Sequence, residues 1–383
     1  MAAGNLPGEI IWDILSRLPV KSLMRFRCVH KTWCYLFTTS SFVSAHLKNH
    51  NNEKQDLVFI NQSNTGQEKL KALLLRDDTF DVYFDICMPF TRSCFASMNA
   101  VGSCDGLVCL YYDQHFIAGR KVLLYNPTTR QHKILPESPI PGPPNFREVS
   151  VTIGFGYDPI IDDCKVVRIV SWLLYNERLK AKSNQAQVYT LGTNSWKGKE
   201  ILNSVEFDPC GNQAFVNGAI HWLVRVRVLD SWVRHYAIVR FNVSSDEIIS
   251  FLLPRVVVHG KVLERRVDVF RSSLCVVNSL NRRQRQWFEI WTMDEDGGKK
   301  SWTKLHVIGP FVPYKKVIGF GMHEKLLLKG ETGLTIFDIS RKEGKHFAID
   351  GTFGAFNAVA FMESLVSLRG GEKEAAADDD HDD

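Results

Sequence analysis

Five times between Tyr125 and Ser340 the chain repeats one short pattern: an apolar run closing on an aromatic residue, a turn of Asn, Asp, Ser, Thr or Gly, then a second strand-like run. The copies are Tyr125-Asn126-Pro127-Thr128, Tyr189-Thr190-Leu191-Gly192, Phe241-Asn242-Val243-Ser244, Trp291-Thr292-Met293-Asp294 and Phe337-Asp338-Ile339-Ser340, with Phe59-Ile60-Asn61-Gln62 as a weaker first copy. The aromatics from 125 to 337 stand 64, 52, 50 and 46 residues apart, near the period of roughly 40 to 50 that a four-stranded propeller blade needs. Between them fall further strands, Gly106–Leu110, Gly218–Trp222, Ser273–Val277 and Lys325–Leu328, so that each period holds two hairpins. The span from Asp56 to Leu368 then yields about six blades, with five to seven compatible with the uneven spacing, and Ala358–Met362 and Leu365–Leu368 are expected to close the ring against the first blade. A pair of sandwiched sheets is the alternative.

Before residue 51 the texture is helical. Ile10, Ile11, Ile14, Leu15 and Leu18 recur at helical spacing, Pro7 suits a first helical position, Glu9 lies where the helix dipole favours negative charge, and Pro19 ends the segment. Ser22 is a candidate N-cap for a second helix carrying Leu23, Phe26 and Cys28 or Val29. A third helix is predicted around Trp33–Phe37 after the polar turn His30–Thr32, and Ser40 or Ser41 caps a fourth through Phe42 and Leu47. Domains below roughly 40 to 60 residues usually need a disulfide, a metal or a partner. Cys28 and Cys34 lack zinc-site spacing, so the leftover apolar residues are expected to form a patch for another protein, the alternative being docking on the rest of the chain.

The run Leu6-Pro7, Ile10, Ile14-Leu15, Leu18-Pro19, Lys21-Ser22-Leu23, Phe26, Cys28-Val29, Lys31 and Trp33 resembles an F-box, the module that docks on the Skp-type adaptor of cullin-based ubiquitin ligases. The resemblance implies that Leu6, Pro7, Ile10, Ile14, Leu15, Leu18, Pro19, Leu23, Phe26, Cys28 and Trp33 bind that adaptor. Further on, Gly106-Leu107-Val108, Tyr125–Arg130, Gly154–Pro159, Asp163–Val167, Val188-Tyr189, Ser195-Trp196 and Asn217–Trp222 look like the F-box-associated domain of plant F-box proteins, among them defence regulators and S-locus F-box proteins. The two resemblances cover nearly the whole chain. The strict double glycine of the kelch signature is absent, so the domain is kelch-like only, and Cys164 stands where the family usually carries an aromatic, a packing difference.

Nine scattered cysteines without a C-x-x-C pair fit reduced thiols, no run is long enough to span a membrane, and Met1–Asn5 has no secretory character, so a cytoplasmic or nuclear protein is expected. Residues 371–383 carry seven acids against Lys373, which leaves a net +11 on the remaining 370 residues; this tail is expected to be disordered.

Catalytic patterns are missing. Ser103 in Gly102–Gly106 sits one place early for a nucleophile elbow, and Gly154-Phe155-Gly156 and Gly319-Phe320-Gly321 lack the third glycine and following helix of a dinucleotide loop, reading instead as repeat structure. Asp158, Asp162 and Asp163 read as a turn rather than a calcium loop, and His221 as a core or rim histidine. No cofactor or metal is expected. Basic residues interleaved with tryptophan stand out: Arg225, Arg227, Trp232 and Arg234, then Arg265 and Arg266, then Arg282, Arg283, Arg285 and Trp287. They are expected to converge into one surface that grips a protein substrate, or else to be solvated hairpin tips.

The expected architecture is α+β and multidomain: a three- to four-helix F-box over 1–50, a mainly antiparallel β-propeller-like domain over 51–370, and the acidic tail over 371–383. The implied function is a non-catalytic substrate receptor of an SCF-type ubiquitin ligase, with a Skp-type adaptor, the cullin core behind it and an unidentified protein substrate as partners and no membrane. The alternative is a phosphoprotein- or nucleic-acid-binding module acting outside a ligase, nucleic acid being the less favoured ligand.

Overall fold

The computed structural model describes residues 6–50, 56–61, 69–75, 82–91, 96–114, 121–174, 182–200, 208–209, 213–226, 235–258, 262–312, 315–321, 324–348, 357–368 and 372–373. Four helices open it: α1 (Gly8–Ser16), α2 (Val20–Phe26), α3 (Lys31–Leu36) and α4 (Ser40–His50). Pro19 rather than Ser22 caps α2, because its carbonyl already accepts the amides of Ser22 and Leu23 at 2.9 and 3.2 Å. His30 caps α3 by accepting from the Thr32 amide. α4 closes the free end of α1: Asn49 Nδ2 donates to Ser16 Oγ at 3.0 Å, and His46 Nε2 lies 2.9 Å from the Leu18 carbonyl. Leu15, Val20, Leu23, Phe37 and Phe42 form the core, with Trp12 edge-on to Phe42.

The strands come in groups of four. β1 (Asp56–Asn61), β2 (Lys69–Leu75) and β3 (Val82–Thr91) begin the first sheet. β4 (Ala96–Cys104), β5 (Leu107–Gln114), β6 (Lys121–Asn126) and β7 (Gln131–Ile134) make the second, and β8 (Phe146–Asp158), β9 (Asp163–Leu174), β10 (Lys182–Thr190) and β11 (Ser195–Glu200) the third. In the fourth, two short strands β12 (Asp208–Pro209) and β13 (Ala214–Val216) pair along one edge of β14 (Ala219–Val226), followed by β15 (His235–Asn242) and β16 (Ile248–Leu252). After the short α5 (Arg255–Val258) come β17 (Val262–Phe270), β18 (Ser273–Arg282), β19 (Arg285–Asp296) and β20 (Lys299–Phe311), then β21 (Lys316–Gly321), β22 (Lys325–Lys329), β23 (Gly333–Asp338) and β24 (Glu343–Ala348).

β25 (Asn357–Phe361) pairs antiparallel with β1, Asp56 opposite Phe361, so the first sheet is completed from the other end of the sequence. The inner strands β25, β4, β8, β13 with β14, β17 and β21 adjoin in that order, and β21 returns to β25. The result is a β-propeller of six described sheets, as the repeat predicts. Leu365–Leu368 forms no strand; it is a strap described below. The last strand, β26 (Glu372–Lys373), pairs with His132 and Gln131 of β7, so the acidic segment starts as an edge strand and the rest lies outside the described residues.

The repeat seen in the sequence is the third strand of successive blades, β6, β10, β15, β19 and β23, and the unit between is the second strand, β5, β14, β18 and β22. Both lie between neighbouring blades and are buried on two faces, hence their continuous apolar runs. Phe59 falls on β1, a second strand, so the weak first copy is out of step: its blade takes its inner strand from the chain's far end. Gly154 is required by close approach, since a Cβ there would stand 2.3 Å from the Trp222 ring of the next blade, whose Nε1 donates to the Ile153 carbonyl.

Consecutive antiparallel strands put alternate turns on opposite faces of the ring. The near face holds the turns at Asp105-Gly106, Pro159–Asp162, Leu191–Asn194, Asn217-Gly218 and Arg271-Ser272; the far face holds the β14–β15 and β18–β19 hairpins. α4 is seated on the near face, where Val43 and Leu47 look across a cavity of about 670 Å³ at Ile161, Leu191 and Val366.

Candidate interaction surfaces

α1 leaves one row uncovered. Leu6, Ile10 and Ile14, spaced by four residues, are 55%, 46% and 47% exposed, and Pro7 sits beside them. Val29 and Tyr35, on the next two helices' margins, are exposed as well. Leu15 and Leu23, 4% and 0% exposed, belong instead to the helical core, where they hold the module together and offer no surface. Leu18, Phe26 and Trp33 are half-buried, Phe26 and Trp33 leaning on one another with ring centres 5.8 Å apart, while Pro19 and Cys28 are exposed. The sequence pattern missed Val29 and Tyr35 as surface; the signal available was their position outside the spacing of Leu23, Phe37 and Phe42.

A strap binds this module to the ring. Leu365 inserts into the helical core, while Val366 and Leu368 pack in the blade core around Leu124. Asn126 Nδ2 donates to the carbonyls of Val366 and Ser364 at 2.8 and 3.2 Å, and the Leu368 amide donates to Gln131 Oε1 at 3.1 Å. Gly106, with φ +75°, passes beneath: a Cβ there would lie 2.1 Å from Ser364 Oγ and 2.8 Å from the Met362 carbonyl.

The seam between helices and ring is acidic on the ring side. Burial, reinforced by Asp162, raises the Asp105 carboxyl to about 6, and Asp162 accepts a short hydrogen bond from the Tyr157 hydroxyl. Asp158, Asp162 and Asp163 are turn-builders: Asp158 Oδ1 accepts from the Ile160 amide at 3.0 Å, and Asp163 Oδ2 from the Gly192 amide at 2.6 Å. The buried Lys165 joins two blades, reaching Asp158 and Asp246 at 3.0 Å each and the Val243 carbonyl at 2.5 Å.

A cavity of about 660 Å³ occupies the ring's centre. Arg266 reaches into it, donating to the Val317 carbonyl at 2.6 Å and to Asp268 at 2.8 Å; burial raises the Asp268 carboxyl although Arg266 opposes this. Arg265 points the other way, donating to the Val258 carbonyl at 2.7 Å and lying over the Tyr236 ring. Both arginines are buried and committed within the fold, so they are not part of an open basic surface, because adjacent residues of a strand face opposite sides. Ser103 stands in β4 opposite Val108, away from any strand-to-helix turn. His221 is buried between Ala214 and Arg240, and burial, with the Arg240 charge, lowers its imidazole to about 4.

The F-box domain family matches residues 4–44, and the F-box associated beta propeller domain family matches residues 46–334. This chain belongs to the F-box proteins with an F-box associated β-propeller. F-box protein CPR1 of Arabidopsis thaliana is 26% identical over 94% of this chain and 89% of its own length. F-box/kelch-repeat protein At3g23880 of the same plant is 25% identical over 95% of this chain and 96% of its own.

On the far face, opposite the F-box, the expected arginines are partly gathered. Arg282 and Arg285 stand opposite each other at the tip of the β18–β19 hairpin with Arg283 in its turn, all exposed. Trp287 is half-buried against Gly309. Arg225 is the last residue but one of β14 on the adjacent blade, opposite Tyr236. Arg227, Trp232 and Arg234 lie outside the described residues.

Proposed function

We propose that this F-box protein is the substrate-recognition subunit of an SCF-type ubiquitin ligase. The observation that carries the reading is the uncovered row Leu6, Ile10 and Ile14 on an F-box whose Leu15, Val20, Leu23, Phe37 and Phe42 are consumed by its own core with Leu365 of the strap. An apolar row left uncovered among the described residues suits docking on a Skp-type adaptor, and through it on the cullin core. The propeller then holds the target on its far face, with Arg225, Arg282, Arg283, Arg285 and Trp287 as the assigned contacts among the described residues. Catalysis would be by proximity: the receptor raises the effective concentration of target lysines near an enzyme carried elsewhere in the assembly and supplies no nucleophile or base.

Co-expression with a Skp-type adaptor tests this. Ile10→Asp with Ile14→Asp should abolish co-purification while circular dichroism and the melting temperature stay unchanged, since both side chains are already exposed. Adaptor retention by this folded variant would end the assignment.

A further inference from the structure

At the far end of the fifth blade, four strand ends form a mixed basic and apolar surface. Register fixes the neighbours: Val262 faces Leu280, Leu280 faces Trp287, Arg282 faces Arg285, and Gln286 faces Phe311. Leu263 occupies an irregularity between Val262 and Glu264 and is 61% exposed, since a bulged residue is re-aimed out of the sheet. Val256 on α5 and Val312 after β20 are exposed at the same end.

The platform under them is fixed. Asn278 Nδ2 donates to the Val257 carbonyl at 2.7 Å and Arg265 to that of Val258, which pins α5 with Val257 inward. Gln286 bonds the Lys315 amide and carbonyl at 2.8 and 2.6 Å, pinning the segment after β20.

The turn itself goes against its own conformational preference. Arg283 and Gln284 both adopt positive φ, +52° and +61°, a two-residue hairpin turn that ordinarily takes Asn-Gly. Non-glycine residues there cost stability. The side chains of Arg283 and Arg285 engage no ion pair or hydrogen bond among the described residues, whereas Arg282 leans on the buried Glu289 at 3.2 Å and Glu264 is taken by Lys316.

We infer that this end of the fifth blade is a docking site for an acidic peptide segment bearing aliphatic side chains, its carboxylates on Arg283 and Arg285 and its aliphatic groups on Leu263, Val256 and Val312. The site rests on the substrate-receptor reading and names the chemistry of what is received. Unpaired guanidiniums are complementary to carboxylates, and the exposed aliphatic residues at the same end of the blade gain nothing from a purely ionic ligand. Nucleic acid fits less well, because Trp287 is packed against Gly309 and no free aromatic face is offered for base stacking among the described residues here.

The test uses the full chain with its adaptor and three fluorescent probes: a twelve-residue peptide of Asp, Glu and Leu, the same peptide with Ser for Leu, and a twelve-nucleotide single strand. The leucine peptide should bind tightest. Arg283→Glu with Arg285→Glu should weaken it at least about tenfold, and Leu263→Ser with Val256→Ser at least about threefold, with adaptor co-purification intact in both. Arg283→Asn with Gln284→Gly should raise the melting temperature while lowering affinity, a split that a purely structural turn would not give. Equal binding of the serine peptide, tighter binding of the oligonucleotide, or variants indistinguishable from the parent would overturn the site. Loss of adaptor binding by the unmodified protein would instead overturn the receptor reading and leave the peptide result standing.

Discussion

Asn126 Nδ2 lies 2.8 Å from the Val366 carbonyl and thereby ties the third strand of one blade to a strap whose Leu365 fills the core of the F-box. The same side chain is fully buried, and its Oδ1 accepts from the Thr128 amide at 2.9 Å, so it has no slack to surrender. Leu365→Ala opens a cavity in a small helical core and is expected to destabilise the F-box by about 2–5 kcal/mol. Asn126→Ala should act at a distance, raising protease sensitivity around residues 362–368 before the propeller melts. Limited proteolysis with calorimetry checks both: a single cooperative transition in each variant, with unchanged cleavage, would refute the strap as the coupling element.

Lys165 should be among the least replaceable residues of the ring. It is 6% exposed, and it meets the Asp158 carboxylate of its own blade together with the Asp246 carboxylate and the Val243 carbonyl of the neighbouring blade's turn. Lys165→Met preserves much of the shape and strands Asp158, which is 1% exposed, so a loss of about 3–5 kcal/mol is expected from denaturant unfolding. Asp158→Asn with Lys165→Met should recover part of that loss, because no uncompensated buried charge remains, the Asp246 side chain being 38% exposed to water.

The half-buried Asp105 and the buried His221 should give opposite pH responses. Asp105, raised to about 6, stabilises the fold in its protonated form; this contribution is complete below the unfolded carboxyl's value and is lost as pH rises through about 6. His221, lowered to about 4, contributes stability that is complete above the unfolded imidazole's value and is lost as pH falls towards 4. Asp105→Asn should therefore raise the melting temperature between pH 6 and 8 and matter little at pH 4. Asparagine also accepts the φ of +49° found there. A uniform shift at all pH values would show that the carboxyl's ionisation is not involved.

The parts legible in the sequence are those with one strong physical constraint. Second and third blade strands such as β6 and β14 are squeezed from both sides and show it as unbroken apolar runs. Outer strands such as β24 are exposed almost throughout and carry no pattern, and the first blade was out of step because its inner strand comes from residues 357–361. On α1, helical spacing marks the apolar residues but not which of them the module keeps: Ile14 and Leu15 are adjacent, and only the arrival of Phe42 on α4 turns Leu15 inward. Arg265 and Arg266 look like surface charge in the sequence, yet one reaches Val258 and the other Val317, 51 residues away.

Two glycines should respond to alanine for different reasons. At Gly218, φ is +66° and nothing lies within 4 Å of a new Cβ, so Gly218→Ala meets only backbone strain, about 1 kcal/mol, and no neighbouring substitution should relieve it. At Gly154 the backbone is ordinary and space is the constraint, with Trp222 Cζ2 2.3 Å from the added methyl. Gly154→Ala is expected to cost about 1–3 kcal/mol by overpacking. Trp222→Phe removes the ring carbon in the way, at the expense of the Nε1 bond to Ile153. The double variant should then be more stable than the sum of the single losses implies, by an interaction of about 0.5–3 kcal/mol. Strict additivity in denaturant titrations would mean that the two blades do not meet at this pair.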